Sequence, residues 1–140
     1  MARHERDGRS ETKHALTGLQ LALVRVLWER GSATVVEVQE ALREERPLAQ
    51  TTVATLLSRL EKRGVVAYRT EGRQYVYRAL ITEDEVRGSV LEEVTERLFH
   101  GDVATLVSHL ISGTEVDARE LARVRELIEA RERELKRRKR

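Results

Sequence analysis

Apolar residues recur along the chain at two periods, and the change from one to the other marks out its organisation. From Leu19 to Leu27, and again from Val35 to Leu42, they return every three or four residues, the spacing that gathers one face of a helix. Val53, Leu56, Leu57 and Leu60 repeat that spacing. Between Val65 and Leu80 the period falls to two, with Tyr75, Tyr77 and Ala79 alternating against Val76, Arg78 and Leu80, as in a strand with one face on a core. Beyond Thr82 the helical spacing resumes through Val86, Val90, Leu91, Val94 and Leu98. It continues in Val103, Leu106, Val107, Leu110 and Ile111, and then in a thinner row of Leu121, Val124, Ile128 and Leu135.

Punctuation residues set the boundaries. Thr17 stands three residues before Gln20, Thr34 before Glu37 and Thr82 before Glu85, and in each pair the hydroxyl and the longer side chain satisfy backbone N–H groups at a helix start. Asp102 and Asp117 are expected to cap two later helices. Gly31, Gly64 and Gly113 close helices, and Pro47 ends the second one by biasing Arg46 away from helical geometry. Leu19, Leu23, Val26 and Leu27, with Trp28, are expected to face inward from the first helix, and Val35, Val38, Ala41 and Leu42 from the second. A third helix is expected over 50–63. A hairpin over 65–80 follows, pairing Val65–Arg69 with Gln74–Leu80 through a T-E-G-R link in which Gly72 supplies positive φ. A tyrosine alternating in so small a sheet is more often core than surface, so Tyr75 and Tyr77 are assigned inward. The fold class is mainly α with a small β-hairpin: a winged helix-turn-helix domain followed by a helical dimerisation domain. The divisions are a polar arm at 1–14, a winged helix at 15–81, helices at 82–135 and a basic tail at 136–140.

Charge sharpens this picture because it is segregated. The whole 140-residue chain is only +2. Residues 46–80 hold seven cations against two anions, whereas residues 81–135 hold seven cations against fourteen anions. A basic middle and an acidic second half place nucleic-acid contact in the middle. With no cysteine, a disulfide framework, a thiolate metal site and a cysteine nucleophile are excluded. No apolar run is long enough to suggest a membrane span, so a soluble cytoplasmic protein without membrane insertion is the expectation. Glycine-rich phosphate loops and histidine-centred catalytic sets are missing, so no enzyme and no cofactor are expected. Glu96 and His100, one helical turn apart, read as a surface pair rather than metal ligands. His4 and His14 read as solvated.

The third helix carries the candidate site. Opposite its apolar stripe lie Thr51, Thr55, Ser58 and Lys62, flanked by Thr52 and Arg59. Hydroxyls and an Arg suit base edges or nearby phosphates in a major groove, which assigns Thr51, Thr52, Thr55 and Arg59 to base or near-base contact. Ser58, Lys62, Arg69, Arg73 and Arg78 are assigned to phosphates. The narrow apolar seam of the last helices, Leu106, Leu110, Leu121, Val124, Ile128 and Leu135, suits a partner helix better than a broad monomer core. The rival reading is a winged helix used as a protein-interaction module without sequence-specific DNA binding, with the acidic C-terminal helices docking a partner.

These residues resemble the penicillinase-repressor family of BlaI/MecI type. The resemblance rests on LTGLQLALVRVLWERGSATVVEVQEAL for the first two helices, on TTVATLLSRLEKRGVV for the third, and on GRQYVY in the wing. It covers about Leu16 to Leu135 and implies a homodimeric repressor on an inverted-repeat operator in double-stranded DNA. A membrane sensor protease encoded nearby is a candidate further partner. Where antibiotic-responsive members carry a cleavable Asn-Phe bond, this chain has His109-Leu110, and the cysteines of copper-responsive members have no counterpart here.

Overall fold

A computed structural model describes residues 14–113 and 115–139. The elements run α1 (Gly18–Arg30), β1 (Ala33–Thr34), α2 (Val35–Ala41), α3 (Gln50–Lys62), β2 (Val66–Glu71), β3 (Gln74–Ala79), α4 (Glu83–Phe99), α5 (Val103–Gly113) and α6 (Ala118–Arg138). They form two compact units, one ending at Glu93 and the other beginning at Val94. Apart from His14, the expected polar arm lies outside the described residues.

In the first unit each helix begins where its cap dictates. Thr17 Oγ1 accepts from Gln20 N–H while Gln20 Oε1 accepts from Thr17 N–H, and Thr34 with Glu37 repeats the exchange. Thr82 and Glu85 do the same at α4. Gly31 and Gly64 take φ of 83° and 78° where α1 and α3 end, a conformation that costs glycine little and other residues more. The core is made by Leu23, Val24, Val26 and Leu27 of α1, Val38 and Leu42 of α2, and Val53, Leu57 and Leu60 of α3, closed by Val65, Val66 and Tyr77. Leu19 and Leu56 pack on it half-buried. Trp28 is half-buried, and its indole N–H donates to Ile81 O at 2.8 Å, which ties the segment leaving the sheet back to α1. Val86, in the second turn of α4, still belongs to this core.

Two expectations change. Ala41 is exposed: α2 stops there with Leu42 as its C-cap, and the inward stripe runs from Val38 to Leu42 past the edge on which Ala41 sits. His14, expected to be solvated, has a side chain 16% exposed with Nε2 at 3.4 Å from Glu85 Oε2. His4 lies outside the described residues.

The hairpin gains a third strand, in the order β1-β3-β2, all antiparallel. Thr34 pairs with Val76 on one side of β3 and Arg69 pairs with Val76 on the other. Glu71 opposite Gln74 leaves Gly72 and Arg73 as a two-residue link, with Gly72 at φ 64°.

The second unit is built from the end of α4 with α5 and α6. Asp102 accepts from Thr105 N–H at 3.2 Å and Asp117 accepts from Glu120 N–H at 2.8 Å, as their cap positions predict. Neither α5 nor α6 has a buried residue. Since Leu57 is completely buried, Leu57→Ala removes a packed side chain from the middle of the first core and should cost about 2–5 kcal/mol by denaturant unfolding.

Candidate nucleic-acid interface

Helix α3 owes its position to its buried stripe. Val53, Leu57 and Leu60 are fully buried, so the helix cannot rotate without taking them into water. That fixes the other side outward: Thr51, Thr52, Thr55, Ser58, Arg59 and Lys62 are all exposed. Thr51, Thr52, Thr55, Leu56 and Arg59 together line a shallow depression of about 230 Å³, which brings the four expected base-contact residues onto one patch.

One of the four is partly committed. Thr55 Oγ1 donates to Thr51 O at 2.9 Å, so its hydroxyl proton is engaged within the helix and its lone pairs remain to accept. Arg63, counted among the local cations, is turned inward instead. Its guanidinium donates to Ala15 O at 2.8 Å and to Gln20 Oε1 at 3.3 Å, so it fastens the end of α3 to the start of α1.

The wing places Arg69 and Arg78 on one face, since Arg69 lies opposite Val76 and Ala67 opposite Arg78. Both are exposed, and Arg69 also pairs with Glu71 at 3.3 Å. The tyrosines share the other face. Tyr77 is buried, as expected, and burial raises its hydroxyl pKa above the ordinary value. Tyr75 corrects its assignment to the core: it is 47% exposed because it sits two residues nearer the hairpin link along β3, on an open groove rather than in the core. It stacks on Tyr68 instead, with ring centroids 4.2 Å apart, and Tyr68 lies 5.8 Å from Tyr77. Three rings in contact stiffen a hairpin that has few other side chains to hold it.

A second groove, of about 250 Å³, runs between the start of α2, the start of α3 and the wing. Thr34, Val35, Val36, Gln50, Arg73, Gln74 and Tyr75 line it, so the wing cation Arg73 faces the first residue of α3. Among the groove residues only Arg73 was expected at the site. The position of Gln50 at the head of the helix was the signal available for the rest.

The expected dimer-forming residues divide. Leu106, Leu121 and Val124 are half-buried, while Leu110, Ile128 and Leu135 are 54%, 52% and 46% exposed. Val90, Leu91 and Leu98 of α4 are likewise exposed. Among the described residues no cluster of three or more His, Cys, Asp or Glu side chains can hold a metal ion. No helix among them is long and apolar enough to cross a membrane.

Residues 16–130 match the family described as Penicillinase repressor. The penicillinase repressor of Bacillus licheniformis is 24% identical over 114 residues, covering 81% of this chain and 89% of that protein. That of Staphylococcus aureus is 21% identical over 106 residues, covering 76% and 84%. Among solved structures, the DNA-binding domain of the repressor BlaI aligns with a TM-score of 0.46 at 30% identity, covering 50% of this chain and 85% of that domain.

The start of α2 yields a pH test. Glu37 is held below the ordinary carboxylate range, first by the Thr34 backbone N–H and then by the Thr34 side chain. The folded chain therefore binds this proton less readily than the unfolded one. The cap's contribution is complete above the unfolded value and disappears as pH falls through the lowered one. Glu37→Gln keeps an acceptor for the N–H but cannot titrate, so its thermal unfolding should lose less stability on acidification than that of the unaltered chain.

Proposed function

The chain belongs to the penicillinase repressor family, a family of transcriptional repressors rather than enzymes, and from that membership we propose that it is a homodimeric repressor of an inverted-repeat operator. The observation that carries the reading is the outward face of α3, where Thr51, Thr52, Thr55 and Arg59 share one depression beside a basic wing. In this reading α3 enters the major groove of double-stranded DNA. Arg59 takes a base edge, and Thr51, Thr52 and Thr55 contact bases or adjacent phosphates. Ser58 hydrogen-bonds to the backbone while Lys62, Arg69, Arg73 and Arg78 neutralise it, so binding falls steeply as salt rises.

The second copy is needed energetically. One winged helix covers modest DNA surface, and joining two converts the second half-site contact into an intramolecular event. Leu106, Leu110, Leu121, Val124, Ile128 and Leu135 supply the apolar seam on which the copies meet. The exposure of Leu110, Ile128 and Leu135 in the single chain supports this, because apolar side chains left in water are stabilised by a partner. The division at 15–81 for reading and 82–135 for pairing is part of the same proposal, and so is a cytoplasmic location. Relief of repression by a sensor protease would have to act elsewhere than on an Asn-Phe bond, since the matching position is His109-Leu110.

Gel shifts against DNA upstream of the chain's own gene, with random duplex as competitor, test this. Arg59→Ala should cost about 1–3 kcal/mol on operator and little on random DNA. Equal losses on both would remove Arg59 from base reading, and a salt-insensitive or sequence-blind shift of the unaltered protein would remove the repressor reading.

A further inference from the structure

We propose that Gln50 is a specificity-determining residue that reads an adenine at one position of each operator half-site, an assignment that rests on the repressor reading above. Gln50 is the first residue of α3 and is exposed. In a helix-turn-helix the opening turn of the second helix is the part that reaches base edges, so residue type at this position bears directly on sequence choice.

Three features fit Gln50 for that task. Its carboxamide holds no hydrogen bond among the described residues, in contrast to Thr55, whose hydroxyl proton is spent on Thr51 O. A free carboxamide offers a donor and an acceptor side by side, the complement of N7 and the N6 amino group that adenine shows in the major groove. Its approach is also fixed. Gln39 Nε2 donates to Leu48 O at 3.0 Å, which pins the loop two residues before Gln50 and delivers the helix start at a set height.

The surroundings assign neighbouring groups to the backbone and leave Gln50 for the base. Gln50 shares its groove with Arg73 and Gln74 of the wing. A DNA strand passing between α3 and the wing would set a phosphate against Arg73, a point of charge neutralisation that carries no sequence information. On the other side, the depression lined by Thr51, Thr52, Thr55 and Arg59 continues the reading surface down the helix. Gln50 therefore stands at the join between backbone grip and base reading. The helix start has no side-chain cap, because Ala49 occupies the N-cap position, so Gln50 has no neighbouring cap hydroxyl with which to compete for a base.

The test is selection from randomised duplexes by the full chain, its Gln50→Ala variant and its Gln50→Glu variant, with thermal unfolding of each to show that the fold is kept. The unaltered chain is expected to select adenine at one position of each half-site. Gln50→Ala should lose that preference about tenfold or more while keeping the others. Gln50→Glu, which suits the first turn of a helix, should move the preference at that position to cytosine, whose N4 amino group a carboxylate accepts from. Adenine preference that survives in Gln50→Ala overturns the assignment, as does an equal loss of affinity on selected and random DNA, which would make Gln50 a backbone contact. No sequence preference in the unaltered chain would overturn the repressor reading and this assignment with it.

Discussion

Burial of one side of α3 is the constraint from which the rest follows. Val53, Leu57 and Leu60 are fully enclosed by α1, α2 and the sheet, and each such side chain contributes roughly 1.5–3 kcal/mol relative to exposure. Turning the helix by even one residue, 100°, would expose part of that stripe and bury hydroxyls and cations without partners. The polar face is thus presented outward by the same packing that stabilises the domain. Exposed polar face and buried stripe are two sides of one helix.

Around that helix, polar contacts act mainly as spacers that set where chain segments enter and leave. Capping exchanges at Thr17, Thr34 and Thr82 fix three helix starts, and Trp28 holds Ile81 so that the sheet leads into α4 at a defined point. Arg63 shows that a cation in a basic stretch is not automatically a ligand for DNA, since it spends its donors on Ala15 and Gln20. The second unit follows a different economy. Its helices α5 and α6 are capped yet hold no fully buried residue in the single chain, and part of their apolar rows stays exposed.

Much of this was legible in the sequence because it depends on local chemistry. Helix starts follow from a hydroxyl and a longer polar side chain three residues apart, helix ends from Gly31 and Gly64, and the inward face of α3 from its period. The exposed row from Thr51 to Lys62 follows from the same period, read for the other face. What was not legible depends on tertiary reach. β1 is two residues long and doubles as the cap of α2, too short for any alternation to show. Tyr75 and Tyr77 alternate identically, yet the helices cover only the second, and the first stacks on Tyr68 across the hairpin. Gln50 lies at the very start of the helical pattern, and the groove it shares with the wing is formed only by the tertiary fold.

A homodimeric repressor requires that two copies read one symmetric site. Footprinting the full chain on DNA upstream of its own gene measures this directly. Two protected half-sites are expected, related by a dyad and centred about one helical turn of roughly 10 base pairs, or a multiple of it, apart, with two protomers per duplex. A single isolated footprint, or protection with no sequence preference, would contradict it.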